Sequence, residues 1–313
     1  MRSRPALPLA VAAVAGFALL AAPAVASEDW EACGAPGASN AERIARCSAA
    51  IASGQESGRR LSQAYCSRGH ALTETRELDR ALTDLDEAVR IDPSNACGYL
   101  NRGRVFEFKR DFDRAIADLD EAIKREPQFA LAHNNRGFVW ALKGDLERAI
   151  ADYSEAIRLD PTLRIAYGNR GFAFYKRKNF DRALADYDES IRLDPRHMMS
   201  YLNRGNLWRD AGQIERAIAD YAKVIEIAPD DARGWRNRGS MYLYKNDIKR
   251  GLADYDRAIR LDPQDAYSYN NRGFARNQKG DRKGAIADYR KALELQPGLA
   301  SATEALKRLG EKL

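Results

Sequence analysis

A period of 34 residues organises most of this chain. Glycine recurs at that spacing without insertion or deletion from Gly69 to Gly273, and proline recurs at the same spacing from Pro93 to Pro297. A repeat this short cannot bury its own apolar face, so successive copies must stack to complete a core. We therefore expect one extended array of repeats, although 313 residues would ordinarily suggest two globular domains.

Each copy reads as a pair of helices. When the copies are numbered so that the periodic glycine is residue eight, residue four is aromatic or His, residue twenty is Ala or Gly, and residue twenty-four is Leu or Tyr. Within the fourth copy, apolar residues recur at steps of three and four in residues 167–178 and again in residues 180–193, which predicts two amphipathic helices. Small residues at positions eight and twenty would let these helices approach closely, and the proline would end the second helix.

This pattern resembles the tetratricopeptide repeat family over residues 62–299. The resemblance implies an all-α fold, a right-handed α-solenoid with one helix-turn-helix per unit. The seven predicted units are 62–95, 96–129, 130–163, 164–197, 198–231, 232–265 and 266–299. Residues 27–61 are predicted to form an N-terminal cap related to half a repeat, and residues 300–313 a C-terminal capping helix.

The first 26 residues have the features of a secretory signal peptide. Arg2 and Arg4 precede an uncharged apolar run that ends in the small-residue motif before Ser27. The run is also long enough to span a bilayer if it stays uncut, so an N-terminal membrane anchor is the alternative. Both interpretations put the repeats outside the cytoplasm, in a bacterial periplasm or the extracellular space.

The repeats carry two charged positions that are uniform in all seven units. Position seven is always Arg, where the family usually has Leu, and position twenty-three is always Asp. The two positions stand at similar distances from the turn of the hairpin, so we expect them to form partly buried ion pairs that fix helix register. The alternative is a set of unrelated exposed charges. The predicted pairs are Arg68–Asp84, Arg102–Asp118, Arg136–Asp152, Arg170–Asp186, Arg204–Asp220, Arg238–Asp254 and Arg272–Asp288.

Four cysteines follow the predicted signal peptide, and export would permit disulfides between them. A bridge between Cys33 and Cys47 is preferred because it would close a short loop in a cap that lacks a first helix. Cys66 and Cys97 lie on neighbouring first helices and could also bridge, if their Cα atoms are close enough. A metal site is the weaker alternative, because no Cys-x-x-Cys motif is present and His is scarce.

The family resemblance also implies a concave groove lined by positions two, five, nine, twelve and thirteen of each unit. Units three to five would present apolar and amide side chains, and units five and six would present arginines. The predicted groove residues are Leu131, Asn134, Phe138, Leu142, Ile165, Phe172, Tyr175, Met199, Leu202, Arg209, Arg233 and Arg236. Such a surface suits an extended or helical peptide with apolar anchors and an acidic group, although the first helices could also bury part of it among themselves.

No catalytic motif was found in the sequence: a Gly-x-Ser-x-Gly elbow, a phosphate-binding Gly loop and a His-Glu-x-x-His motif are all lacking. We therefore expect a non-catalytic binding scaffold that uses neither cofactor nor metal. The net charge of +6 arises from interleaved acids and bases rather than a clustered basic face, which argues against nucleic acid as the partner. A protein or peptide partner is favoured, and the alternatives are a membrane-tethered subunit of an envelope assembly or a binder of an anionic envelope polymer.

Overall fold

The three- and four-residue spacing of apolar side chains directs every copy of the repeat into a pair of helices. A computed structural model describes residue 33 and residues 37–311, and this part of the chain contains sixteen helices and no strand. The expected all-α fold of tandem helical hairpins is confirmed. The predicted signal peptide, residues 1–26, lies outside the described residues, as do residues 27–32 and 34–36 of the predicted cap.

The helices follow the frame of the repeats. Helix α1 (Asn40–Ala52) lies in the predicted cap segment, and α16 (Ala300–Arg308) lies in the predicted C-terminal capping segment. Between them stand seven hairpins, one in each predicted unit. They are α2–α3 (Gly58–Glu74, Leu78–Ile91), α4–α5 (Ala96–Phe108, Phe112–Arg125), α6–α7 (Ala130–Leu142, Leu146–Leu159), α8–α9 (Arg164–Lys176, Phe180–Leu193), α10–α11 (Met198–Asp210, Ile214–Ile227), α12–α13 (Ala232–Tyr244, Ile248–Leu261) and α14–α15 (Ala266–Gln278, Arg282–Leu295).

The turn between α6 and α7 shows how local sequence ends one helix and begins the next. Gly144 has a φ of +87°, a left-handed conformation that glycine adopts without steric cost. The next residue, Asp145, accepts a 2.9 Å hydrogen bond from the backbone N–H of Arg148 and so caps the second helix. Pro161 follows the end of α7 at Leu159 and restrains the residue before it from a helical conformation.

The periodic glycine permits close contact between the two helices of a hairpin. A Cβ added to Gly137 would lie 3.0 Å from the backbone oxygen of Ala149 and from the ring of Tyr153. At the equivalent position in the next hairpin, a Cβ on Gly171 would lie 2.9 Å from the ring of Tyr187. The interior at this contact is already filled, so position eight has no room for a larger residue.

The chain divides into two compact units. In the unit of residues 1–101, α1 packs on α2 and α2 packs on α3. Helix α1 begins with a capping box, in which Ser39 Oγ accepts from the N–H of Glu42 and the Glu42 carboxylate accepts from the N–H of Ser39. Cys33 and Cys47 form a disulfide, and both side chains are buried against Ala64.

In the unit of residues 102–313, each helix from α5 to α16 packs on the next helix in the chain. First helices of successive hairpins also touch one another, as α6 does α8 and α8 does α10. Buried clusters fill the space between helices, and one of them joins Leu202, Tyr221 and Val224. This side-by-side order of first helices places equivalent repeat positions next to each other on one face.

Candidate functional site

A cavity of about 380 Å³ opens along the first helices of the third, fourth and fifth hairpins. Its apolar wall consists of Phe138 and Leu142 from α6, Ile165 and Phe172 from α8, and Met199 from α10. The two phenylalanines remain exposed, at 38% for Phe138 and 41% for Phe172. All five are among the residues that the sequence placed in a groove, and the structure brings them together.

The repeat explains why these five side chains meet. Phe138 and Phe172 both occupy position nine of their units, and Ile165 and Met199 both occupy position two. Because α6, α8 and α10 lie in contact in this order, side chains at the same position stand side by side across the helices. The result is a continuous apolar strip built by equivalent positions of three successive units.

Two expected groove residues, Asn134 and Leu202, lie in the interior instead. Asn134 is 1% exposed, accepts a 3.1 Å hydrogen bond from Asn169 and donates one of the same length to Asn135. Leu202 is 5% exposed and packs in the buried cluster around Tyr221. The prediction for these two residues was wrong, because both are enclosed by neighbouring side chains that the spacing of the repeat does not reveal.

Leu131 and Tyr175 stand apart from the cavity wall. Leu131 is exposed but does not line the cavity. The Tyr175 hydroxyl donates a hydrogen bond to Asp210, and its ring lies between those of Phe172 and Phe180, at centroid distances of 6.4 and 6.0 Å. Tyr175 therefore continues the aromatic surface beyond the cavity, with its hydroxyl already engaged.

The three predicted groove arginines each bind a carboxylate of the protein itself. The pairs are Arg209 with Asp210 at 2.8 Å, Arg233 with Asp231 at 2.6 Å, and Arg236 with Asp265 at 2.9 Å. The hydrogen bond from Arg233 lowers the pKa of Asp231, so this carboxylate stays ionised and balances its partner's charge. The expectation that these arginines offer a cationic flank for an acidic partner is therefore corrected.

Four polar residues of the cavity wall were missed from the sequence: Asn169, His197, Ser200 and Asn203. A signal for the two asparagines was present, because position six is Asn in six of the seven units. His197 is the last residue of the fourth unit and caps the start of α10, where no repeat rule points to a groove. These side chains add a few hydrogen-bonding groups to a wall that is otherwise apolar.

His197 is held in its neutral form more strongly than an ordinary histidine. Burial lowers its pKa from 6.5, and the positive charge of Arg164 lowers it further, while Asp194 acts weakly in the opposite direction. Its Nδ1 lies 2.7 Å from Ser200 Oγ, which in turn lies 2.7 Å from Ser190 Oγ. At neutral pH this corner of the cavity is therefore polar but uncharged.

The uniform arginines and aspartates meet in every hairpin. In all seven, Arg Nε and Nη2 donate to the two carboxylate oxygens of the Asp, with donor–acceptor distances between 2.7 and 2.9 Å. The aspartates are buried and the arginines are partly exposed. Such a two-point contact has one acceptable geometry, so it ties the register of the two helices in each hairpin.

Several of these arginines also reach the preceding hairpin. Arg136 Nη1 donates to Asp120 at 2.6 Å, and Arg272 Nη1 donates to Asp256 at 2.8 Å. Arg170 Nη1 donates to Ser154 Oγ at 3.1 Å, at the equivalent position of the preceding hairpin. In these three contacts the second acceptor is residue twenty-five of the previous unit, so one arginine couples the two helices of its hairpin and also couples that hairpin to its neighbour.

Burial and ion pairing compete in the pKa of the aspartates. Burial raises the pKa of Asp186, and the hydrogen bonds from Arg170 do not fully offset it. Burial also acts to raise the pKa of Asp152, but the hydrogen bonds from Arg136, together with the nearby imidazole of His133 at 4.0 Å, outweigh it and the pKa is lowered. The balance between burial and pairing therefore differs between hairpins, and the expectation that the pairs fix helix register more than they add stability stays a prediction.

The cysteines divide into two pairs. Cys33 and Cys47 form the disulfide described above. Cys66 and Cys97 approach each other in the same compact unit, with their sulfurs 3.1 Å apart, a hydrogen-bonding distance rather than a covalent one. The preferred Cys33–Cys47 bridge is therefore present, whereas Cys66 and Cys97, which the sequence allowed to bridge, lie side by side as free thiols.

The described residues hold neither a candidate membrane span nor a candidate metal cluster. None of the helices between residues 37 and 311 combines the length and apolar character that a membrane span requires. No group of three or more His, Cys, Asp or Glu side chains in that region is arranged to hold a metal ion. His133 lies in the interior, with Nε2 3.2 Å from the backbone oxygen of Pro127.

Comparison with family models decides the identity of the repeats. Models described as tetratricopeptide repeat match residues 62–95, 100–163, 169–232 and 239–310, which together are well over half of the chain. The chain belongs to the tetratricopeptide repeat family. The search of curated proteins found no match to this tetratricopeptide repeat protein.

Solved structures with the same fold are numerous and distant in sequence. The Cut9–Hcn1 hetero-tetramer of the APC/C matches 86% of this chain with a TM-score of 0.68 and 18% identity, and the chain covers 52% of that chain, about half its length. A tetratricopeptide repeat protein from Parabacteroides merdae matches 79% of this chain with a TM-score of 0.59 and 19% identity, over 97% of its own length. YrrB, described as a TPR protein with an unusual peptide-binding site, matches 60% of this chain at 21% identity, with a TM-score of 0.50 over 97% of its length. At these identities the likeness establishes the fold.

Proposed function

We propose that this protein is a non-catalytic scaffold whose cavity on α6, α8 and α10 holds a peptide or protein segment through apolar side chains. The observation that carries the proposal is the pair of exposed rings, Phe138 and Phe172, side by side over a cavity of about 380 Å³. Large apolar side chains that stay in contact with water at a concave site mark a binding surface. Tetratricopeptide repeat proteins bind peptides or proteins, and YrrB is described as having a peptide-binding site.

The chemistry of the wall specifies the kind of segment that would fit. The cavity volume suits one or two large apolar side chains, at the lower end of the roughly 300–1,000 Å³ typical of ligand sites. Asn169 and Asn203 stand one repeat apart in the wall, where their amide groups can pair with the backbone of an extended peptide. Because the nearby arginines are already paired with carboxylates, an acidic group on the partner is not required.

A panel of displayed peptides provides the test. Peptides selected on the purified protein should carry bulky apolar residues. We expect the double variant Phe138→Ala, Phe172→Ala to bind the selected peptides at least about tenfold more weakly by fluorescence anisotropy, since two aromatic anchors would be removed. Retained binding by this variant, at helix content equal to the wild type, would contradict the site.

The seventh hairpin offers a matched control. Phe274 is another exposed phenylalanine at position nine, and it lies outside this cavity. Phe274→Ala should leave the affinity of the same peptides unchanged. An equal loss in the control and in the double variant would show that exposed phenylalanine, rather than the cavity, is responsible.

We also propose that the protein acts outside the cytoplasm. The signal-like residues 1–26 and the disulfide between Cys33 and Cys47 support this, since disulfides persist in oxidising compartments. In a bacterial host the protein should be released from the periplasm by osmotic shock with Ser27 as its first residue. Recovery of the uncleaved chain only after detergent extraction would favour the membrane-tethered alternative.

A further inference from the structure

The second pair of cysteines is unlike the first in its exposure. Cys66 on α2 is 3% exposed, whereas Cys97, the second residue of α4, is open to solvent. Their sulfurs lie 3.1 Å apart. One side chain of the pair is therefore reachable by a reagent in solution, and the other is reachable only through it.

A polar side chain is directed at both sulfurs. Asn101 Nδ2 lies 3.3 Å from Cys66 Sγ and 3.3 Å from Cys97 Sγ. The Asn101 carbonyl oxygen is in turn 3.1 Å from Nδ1 of His70. The amide is thus oriented so that its N–H groups, rather than its oxygen, face the two sulfurs, which favours negative charge there.

We propose that Cys66 and Cys97 form a thiol–disulfide exchange site, in which Cys97 attacks an incoming disulfide and Cys66 then closes an intramolecular bridge. The co-reactant is a disulfide, either of low molecular weight or on another protein. This chemistry is independent of the apolar cavity and of any segment bound there.

The position of Cys97 suits it to the first step. It is exposed, it lies in the first turn of a helix, where the helix dipole favours an anion, and Asn101 donates to its sulfur. These features favour the thiolate, which is the nucleophile in disulfide exchange. Cys97 is accordingly the attacking sulfur.

Cys66 suits the second step and not the first. The hydrogen bond that its thiol donates to Cys97 raises its pKa, and burial and the negative charge on Cys97 raise it further. Once Cys97 is part of a mixed disulfide, its sulfur no longer carries a charge, so part of this effect disappears while the Asn101 donor remains. The Cys66 thiol, which is unreactive before the first step, is then able to attack the mixed disulfide.

The two steps balance as an ordinary exchange. Cys97 loses its proton to solvent, and its sulfur forms a bond to one sulfur of the reagent, whose other sulfur leaves as a thiolate and is protonated. Cys66 then loses its proton and attacks Cys97 Sγ, which breaks the mixed disulfide and releases the second half of the reagent as a thiol. Two cysteine thiols are oxidised, one disulfide is reduced, and two electrons move to the reagent.

Oxidised glutathione is the probe for the test. The full-length protein, with Cys66 and Cys97 reduced and the Cys33–Cys47 bridge intact by mass, is mixed with the probe. Aliquots are alkylated over time and analysed by intact mass and peptide mapping. We expect the wild type to gain the Cys66–Cys97 disulfide without lasting glutathione. The proposal is overturned if glutathione remains on Cys97 beside a reduced Cys66, or if neither thiol reacts while a dithiol peptide in the same tube does.

Two variants separate the roles of the sulfurs, once circular dichroism shows wild-type helix content. Cys66→Ser should accumulate glutathione on Cys97, because the resolving thiol is gone. Cys97→Ser should leave Cys66 at least tenfold slower to react than Cys97 in the wild type. If Cys66 in this variant reacts as fast as Cys97 does in the wild type, the two thiols do not react in a fixed order and the proposal is overturned.

Discussion

A single hydroxyl distinguishes the fourth hairpin from the two that follow it. Tyr221 donates to Asn206 at 2.8 Å, and the hydroxyl of Tyr255 pairs with Ser240 at 2.9 Å. In both hairpins the partner is residue nine of the unit. Residue nine of the fourth hairpin is Phe172, which offers no acceptor, and the buried hydroxyl of Tyr187 has no hydrogen-bond partner in the described part of the chain. The aromatic wall of the cavity thus coincides with an unsatisfied polar atom beneath it.

This difference predicts opposite effects of the same substitution. Tyr187→Phe should leave the free energy of unfolding unchanged or raise it by up to about 1 kcal/mol, because a buried unpaired hydroxyl is removed. Tyr221→Phe should lower it by about 0.5–1.5 kcal/mol, because it breaks a hydrogen bond and leaves Asn206 with one partner fewer. Urea unfolding followed by circular dichroism measures both, and similar losses in the two variants would contradict the assignment.

The cavity histidine predicts a dependence of stability on pH. Because burial and Arg164 lower the pKa of His197 below its unfolded value of 6.5, folding favours the neutral ring. The stability that the neutral ring contributes is fully present above the pKa of His197 in the unfolded chain. It is lost as the pH falls through the lower pKa of His197 in the folded protein. Between about pH 7 and about pH 5, the wild type should therefore lose more stability than His197→Gln, measured by urea unfolding. If the free energy of unfolding decreased equally with falling pH in the two proteins, His197 would not contribute to the pH dependence.

Which single residues face the cavity could be predicted only in part. The apolar side chains at positions two, nine and thirteen follow directly from the repeat, as Ile165, Phe172 and Leu142 show. Position five failed at Asn134 and Leu202, since its exposure depends on how tightly successive first helices close around it. The carboxylate that binds Arg236 comes from Asp265, the last residue of the same unit, and this position is not uniform among the repeats, so the pattern gave no sign of the contact.

At the scale of helices, residue twenty-five of a unit decides whether neighbouring hairpins share a polar link, because it can supply a second acceptor to the arginine of the next unit. Asp120 and Asp256 supply a second carboxylate to the arginine that follows, and Ser154 supplies a hydroxyl. The corresponding residue before Arg238 is Ala222, whose side chain has no acceptor. The contact between the fifth and sixth hairpins therefore lacks a polar link that its neighbours have.

Restoring that link should stabilise the array. Ala222→Asp would place a carboxylate beside Arg238, and we expect a gain of up to about 1 kcal/mol in the free energy of unfolding, the upper range for a partly exposed pair. Ala219→Asp on the exposed side of the same helix has the same cost in helix propensity and serves as the control. A gain that is no larger for position 222 than for position 219 would argue against the link.

The helices themselves were the most predictable part of the structure. Helix ends coincide with signals written in the local sequence, such as Gly144 and Asp145 in the third hairpin. The two-point contact between Arg170 and Asp186 was expected from uniform positions on facing helices, because both are equally far from the turn. Contacts within one hairpin follow from the repeat, whereas contacts that depend on the next hairpin follow only from the packed structure.

On the scale of the whole chain, tandem hairpins share one feature that globular domains lack. Within residues 102–313, each helix packs on its neighbours in sequence, and contacts reach no further than the first helix of the next hairpin. The last hairpin is covered by α16, whose Ala302 and Leu306 are buried in one cluster with Tyr289 and Ala292. Stability in such an array is close to a sum of local terms, so damage should stay near its source.

Removing one buried side chain from the last helix tests this locality. Leu306→Ala should cost about 2–5 kcal/mol locally, since Leu306 is 1% exposed, and α14 to α16 should then exchange their amide hydrogens faster. Helices α6 and α7, which lie more than three hairpins earlier in the chain, should keep wild-type protection in the same hydrogen-exchange experiment. Leu142→Ala is the matched control, because this leucine is 47% exposed and its truncation removes little buried surface. If Leu306→Ala instead lowered protection evenly from α6 to α16, the hairpins would unfold as one cooperative block, and the additive description would be wrong.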